Sequence, residues 1–382
     1  MRRLYLLLLA LALCYYSADG FPESDSTRLQ IKGYIKSLTQ LNKSTFPDTL
    51  LSGELLHQRT SIEYQVIPQL VLRTDVRTRL FYGKLFEQAG FREGLSDNSE
   101  LINTDHYIID NEDLLLLLQI DRAFLDYQGT NSNVRIGEQR INWGTNLVWN
   151  PNDIFNTYNI LDFDYEERNG VQAIRLQYQP DDRKVIELTG APGKDSSSIF
   201  GCQYKTNYKT YDLQFSAGTL YQQPLIGAGW AGNIGTVGCK GELNYYFKQP
   251  RKEQQFIASG TLDYTTNNRW YIYTSILFQE KKPAATAFST YSQRNSTTAK
   301  FLMPGHWSFY VGSLKELSPL TAIQLAVVYS DYNNSLIVFP TFSYSAGKNL
   351  ELLSAFQCIF DNQQTDWQYE GIAGFLRLKY SF

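Results

Sequence analysis

The sequence predicts an all-β fold: a transmembrane, up-and-down antiparallel β-barrel of about eighteen strands. Three observations predict it. The last twelve residues alternate an apolar set (Ile372, Gly374, Leu376, Leu378, Tyr380, Phe382) with a largely polar set (Ala373, Phe375, Arg377, Lys379, Ser381). Successive strand residues point to opposite faces, so this segment can meet lipid on one side and water on the other. The chain begins with Arg2 and Arg3, an apolar run from Leu4 to Leu13, and Ala18-Asp19-Gly20 before Phe21. That is the pattern of a cleaved export signal, residues 1–20, with residues 21–382 as the barrel. Beyond it the longest apolar run is Leu114–Leu118, far short of the ~20 residues a spanning helix needs.

Strand signals follow one another along the chain. Leu29–Leu38, Leu56–Val66 and Leu70–Tyr82 come first, with Pro68 in the tight turn between the last two. In the third, Leu70, Leu72, Val76, Leu80 and Tyr82 share one face, and Arg73, Asp75, Arg77 and Arg79 the other. A long connection, Gly83–Asp113, leads to Leu114–Tyr127 and Ser132–Gln139. A second, Arg140–Asn169, leads to Val171–Tyr178, Val185–Ala191, Ile199–Asn207, Tyr211–Tyr221, Leu225–Ala231, Val237–Phe247, Phe256–Tyr264 and Trp270–Phe278. A third, Gln279–Gly305, precedes His306–Leu314, Leu320–Ser330, Leu336–Tyr344, Leu350–Phe360 and the terminal strand. Compact turns such as Gln179-Pro180-Asp181-Asp182 and Thr265-Thr266-Asn267-Asn268 join the arms. With eighteen strands all three long connections fall on the side opposite the termini, as in bacterial barrels. Sixteen is the alternative count, if Gly-rich Leu225–Ala231 is not a strand.

Composition agrees. Aromatics make up 14% of the chain, with 27 Tyr, as interfacial girdles require. Mean hydropathy is below zero, because only every second strand residue would face lipid. Lys+Arg number 35 against 38 Asp+Glu, which gives nucleic acid no reason to bind. Cys202, Cys239 and Cys358 each share parity with the apolar face of their strand, so they read as small lipid-facing residues rather than disulfide partners. His57, His106 and His306 are widely separated, and no metal or cofactor is expected.

A barrel of this size encloses a wet lumen. Strand parity turns Arg59, Arg73, Arg77 and Arg79 inward, with Arg135 and Arg175 further along. They form either a basic strip that attracts anions or a solvated wall whose charges pair across strands with Glu63, Asp75 and Asp121. The connection 140–169 is too apolar for a loop in water: Trp143, Leu147, Trp149, Ile154, Phe155, Tyr158 and Phe163 need burial. It is expected to fold into the lumen as a constriction, with Asp153, Asp162, Asp164, Glu166 and Glu167 facing the arginines. Asp162, Asp164 and Glu166 could also hold Ca²⁺, but pairing with arginine is the preferred reading.

The residues Arg135-x-Gly137-x-Gln139-x-x-x-Trp143-Gly144, with Trp149-Asn150-Pro151-x-Asp153 and Glu166-Glu167-Arg168, resemble a block of porin-like outer-membrane proteins, among them alginate-export-type barrels. The terminal aromatic strand likewise resembles the one by which outer-membrane barrels are recognised for assembly, which makes lipid and the assembly machinery, through Phe382, the expected partners. The resemblance implies a channel with an inward loop in the bacterial outer membrane, passing small hydrophilic solutes. It names no solute, and the oligomeric state stays open. A surface receptor or export partner with a closed lumen is the alternative. A barrel enzyme is disfavoured, because it needs a histidine relay, only His57 sits on a strand near acids, and no G-x-S-x-G occurs.

Overall fold

Alternation along the chain becomes alternation across a wall. The computed structural model describes residues 28–45, 48–88, 91–92, 95, 101–161, 170–283, 298–332, 334–362 and 366–382. The proposed signal, residues 1–20, and Asp162, Phe163, Asp164, Glu166, Glu167 and Arg168 lie outside them.

The described residues form nineteen strands: β1 (Leu29–Ser44), β2 (Thr49–Ile67), β3 (Leu70–Tyr82), β4 (Asp105–Asp110), β5 (Leu114–Gln128), β6 (Ser132–Gln139), β7 (Val171–Asp181), β8 (Lys184–Ala191), β9 (Ile199–Tyr208), β10 (Tyr211–Leu220), β11 (Gln223–Ile234), β12 (Val237–Tyr246), β13 (Gln255–Thr265), β14 (Trp270–Gln279), β15 (Trp307–Ser318), β16 (Thr321–Ser330), β17 (Ser335–Ser345), β18 (Leu350–Asn362) and β19 (Trp367–Ser381). Each pairs antiparallel with its neighbour, except that β3 pairs directly with β5. β1 closes on β19, so eighteen strands make a ring without an edge.

The eighteen wall strands coincide with the eighteen sequence signals, and Gln223–Ile234 is a full strand, which removes the count of sixteen. Three details differ. β1 runs on to Ser44 and β2 begins at Thr49, well beyond the bounds read from the sequence. Leucines on both faces there (Leu50 and Leu51, Leu55 and Leu56) hide the period of two. β4 lies inside the connection read as strandless. β6 is short and pairs with the β5 segment Ala123–Gln128, while β4 occupies the place beside Leu115–Gln119.

The outer face is apolar. Ile62, Leu72, Leu125, Ile174, Leu188, Phe215, Leu325, Leu376 and Leu378 are exposed, as only a surface in lipid explains over so wide a band. Cys202, Cys239 and Cys358 are free thiols, and Cys202 is exposed beside Phe200 in an outward notch between Leu188 and Ala217.

The inner face carries polar side chains at mid-height and two apolar shelves at the loop end. One joins Leu38, Leu55, Phe81 and Leu115 to Phe86 and Phe91 of the first long connection. The other joins Leu220, Tyr246, Ile257, Leu277 and Val328 to Ile141, Trp143, Val148, Trp149 and Ile154 of the second, and Leu302 and Met303 of the third.

Candidate functional site

The inner wall of β19, β1, β2 and β3 is basic. Cross-strand register places Lys379 beside Lys36, Lys36 beside His57, and His57 beside Arg79. The next row toward the termini holds Tyr34, Arg59, Arg77 and Gln119. Adjacent strands are about 4.8 Å apart, so four positions in the first row sit side by side with no carboxylate among them. Lys379 and Lys36 are like charges placed directly opposite, an arrangement that destabilises a sheet.

Carboxylates enter below and beside it. Arg59 lies 2.9 Å from Asp75 and 3.6 Å from Asp121, and Arg77 lies 2.9 Å from Asp121. Arg73 grips Asp75 with two bonds, of 3.0 and 3.1 Å. Arg79 donates to Gln119. Asp121 reaches the lumen through a β-bulge: Asp75 opposes Arg122 and Val76 opposes Ile120, so Asp121 has no register partner and both it and Arg122 are buried. Arg135 and Arg175 stand apart from this group. Arg135 holds Asp126 with two 3.0 Å bonds and lies over Phe124, and Arg175 donates to Asn133 at 3.2 Å. Carboxylates thus pair with Arg59, Arg73, Arg77 and Arg135, and the row of Lys379, Lys36, His57 and Arg79 stands above them.

His57 is buried edge-on to Tyr34, with ring centroids 5.4 Å apart, and neither ring nitrogen has a hydrogen-bond partner among the described residues. A catalytic relay needs an acid to orient the imidazole. Here the register neighbours are Lys36 and Arg79, the wrong charge for that task.

Opposite this wall runs the second long connection. It leaves β6 at Gln139 and follows the inner faces of β8 to β13. Trp143 Nε1 donates to Glu187 at 2.7 Å, and Gln214 donates to the Trp143 carbonyl at 2.9 Å. Glu242 gathers the backbone: Thr145 N–H and Asn146 N–H (2.9 Å) donate to Oε1, and Asn152 N–H (2.9 Å) to Oε2. Asn146 donates to Ser259, whose hydroxyl donates to the Trp149 carbonyl at 2.9 Å. Asn244 donates to the carbonyl of Pro151. The Trp149 ring meets Tyr310 edge-on at 6.3 Å, and Gln357 of β18 donates to the Leu161 carbonyl. The segment thus leaves the wall at β6 and reaches β18 through the lumen. Asp153 is fully buried and accepts the Trp143 N–H at 3.2 Å, so it is turned into its own segment rather than across the bore. Gly201 makes room for it: a Cβ there would stand 2.4 Å from the Trp143 ring.

The sequence reading missed Lys36, Arg122, Glu187 and Glu242. Lys36 and Glu242 follow strand parity and could have been found that way. Arg122 could not, since the bulge reverses the parity of β5 at that point.

The sequence matches no family model and no curated protein. Solved structures do match over nearly the whole chain. Acinetobacter baumannii OccAB4 is 10% identical, with a TM-score of 0.61 covering 94% of this chain and all of that one. Pseudomonas aeruginosa OccK5 (OpdH) is 9% identical, with a TM-score of 0.60 covering 92% and 98%. P. aeruginosa OpdK, solved with vanillate, is 8% identical, with a TM-score of 0.59 over 92% and 98%. The fold is that of these Occ and Opd proteins, OpdK among them an outer membrane protein. At such identity the likeness is one of fold, and the side chains that line this lumen must be read from this chain.

Proposed function

We propose that this barrel is a channel of the bacterial outer membrane through which small hydrophilic solutes diffuse passively, anions ahead of cations. The observation that carries the reading is the row Lys379, Lys36, His57 and Arg79, four strands wide with no carboxylate position. The fixed positive groups of Lys379, Lys36 and Arg79 on a low-dielectric wall focus their field into the bore and raise the local concentration of anions. Segment 140–169 is the constriction in this reading, which the anchorage of its residues 140–161 on β8 to β13 and β18 supports. Pairing of Arg59, Arg73, Arg77 and Arg135 with carboxylates favours short anions over a polyuronate of the alginate-export kind. Residues 1–20 would carry the chain out of the cytoplasm, and the strand ending at Phe382 would be read by the assembly machinery.

The test is a planar bilayer with a KCl gradient. The refolded protein should give ohmic steps and a reversal potential on the anion side of zero. Lys36→Glu combined with Arg79→Glu should move that potential toward cations. A silent bilayer at high protein load would overturn the channel and favour a closed-lumen receptor. Steps with an unmoved potential would overturn the role of the row.

A further inference from the structure

The loop-side rim above β12 to β14 carries a concentrated positive charge. Lys248, Arg251 and Lys252 lie in the connection 247–254, Lys281 and Lys282 at the start of the next, and Lys300 where that connection returns. Glu253 and Glu280 are the carboxylates among the described residues of these segments. Elsewhere on the same rim acids stand at Asp110, Glu112 and Asp113, and at Asp331 and Asp366.

Buried glutamines assemble the cluster. Gln255, fully buried, donates to the carbonyls of Lys281 (2.9 Å) and Lys300 (3.1 Å). Lys300 Nζ donates to buried Gln223 at 3.0 Å and to the Glu253 carbonyl at 3.2 Å, and Lys281 Nζ lies 3.7 Å from the Glu253 carboxylate. Lys252 donates to the Tyr221 carbonyl. Lys248 and Arg251 are exposed, and neither has a carboxylate partner among the described residues. Burial first, and then the ammonium of Lys252, draw the Lys300 pKa below the ordinary lysine range, so a nearby anion would relieve the crowding.

Directly beneath these cations the outer face is ringed with aromatics. Tyr245 and Phe247 stand 5.0 Å apart, Phe256 and Phe278 6.2 Å, and Phe278 and Trp307 4.6 Å, with Phe247 and Trp307 exposed. Such rings settle at the level of lipid headgroups. Lys248 and Arg251, exposed just beyond Phe247, are therefore at the height of lipid phosphates, with acyl-chain surface continuous below, while inward-facing Gln255 and Gln223 hold Lys281 and Lys300 on the lumen side of the rim. We propose that this patch binds the phosphate of an anionic membrane lipid in the leaflet on the loop side. A soluble anion would gain nothing from the aromatic shelf.

Native mass spectrometry of the full barrel in detergent tests this. The probes are a phosphorylated glycolipid, its dephosphorylated form, and phosphatidylcholine. The wild type should retain the phosphorylated lipid preferentially. Lys248→Gln with Arg251→Gln removes two exposed cations outside the glutamine scaffold and should weaken retention on the order of tenfold. Lys248 and Arg251 lie on the connection after β12, away from the row on β19 to β3 that carries the channel reading, so the channel reading and this one fail separately. Equal retention of the dephosphorylated lipid, or undiminished retention by the double variant, would overturn the proposal. Displacement of the lipid by millimolar inorganic phosphate would also overturn it, marking a soluble-anion site instead.

Discussion

Glu242 shows what one inward carboxylate can do. It projects from β12 into the lumen, yet it is fully buried, because three backbone N–H groups of the second long connection converge on it. An unsatisfied buried donor costs about 1–3 kcal/mol. Glu242→Ala should therefore loosen the segment by several kcal/mol, and limited proteolysis should cut within residues 145–152 at rates far above wild type. Glu242→Gln keeps one oxygen acceptor and should lie between the two; a wild-type digestion pattern for the alanine variant would show that the apolar shelf holds the segment alone. Gly201→Val tests the shelf from the other side, since its side chain would enter the Trp143 ring and expel it, and loss of a buried Trp contact costs about 3–5 kcal/mol. The inward direction of Glu242 was legible from the parity of Val237–Phe247. Its partners were not, because they arrive from some ninety residues away in sequence, where no local pattern points.

Strands were the easiest elements to read, because lipid and water impose a period of two wherever one face meets each. Reading failed where that contrast lapses. Residues 39–55 bury Leu55 against Phe81 and Phe91 on the inside while Leu50 is exposed outside, so both faces are apolar and the period vanishes. β4 is six residues long and pairs with only half of β5, too little length for a period to show. The inward course of 140–161 was legible from its tryptophans, since nothing else in a barrel can bury them. Its direction across the bore was not. Asp153 belongs to its own segment, and the acids at 162, 164, 166 and 167 lie outside the described residues. Replacing residues 145–158 with a short Gly-Ser bridge removes Trp149, Ile154 and Phe155 from the lumen. Single-channel conductance should rise, with the reversal potential still anionic because the row on β19 to β3 is untouched. Unchanged conductance would mean that the narrowest point lies elsewhere, with the shelf at Phe86 and Phe91 the next place to cut.

At the scale of the whole molecule, stability rests on the ring being closed. In lipid a free strand edge leaves N–H and C=O groups with no water to satisfy them, so the seam between β1 and β19 is as necessary as any hairpin. That seam runs from Tyr34 opposite Ser381 to Ser44 opposite Gly371. It is finished by Phe382, whose N–H and C=O exchange 2.9 Å bonds with Gly33. The Phe382 ring covers Gly33 so closely that a Cβ there would stand 2.6 Å from it. Deleting Phe382 removes two hydrogen bonds, about 0.5–1.5 kcal/mol each, and one ring contact. Spread over a seam of eleven further register pairs, that loss is modest for the finished barrel and serious for a closing one. The deletion variant should therefore refold into vesicles more slowly than wild type. Once closed it should show the same compact band in unheated SDS gels, converting to the unfolded mobility only a few degrees sooner. Leu376→Pro, in the middle of the seam, removes a ladder donor and should prevent the compact band from forming at all. If the proline variant closes normally, or if the deletion refolds at the wild-type rate, the β1–β19 seam is not what holds the ring.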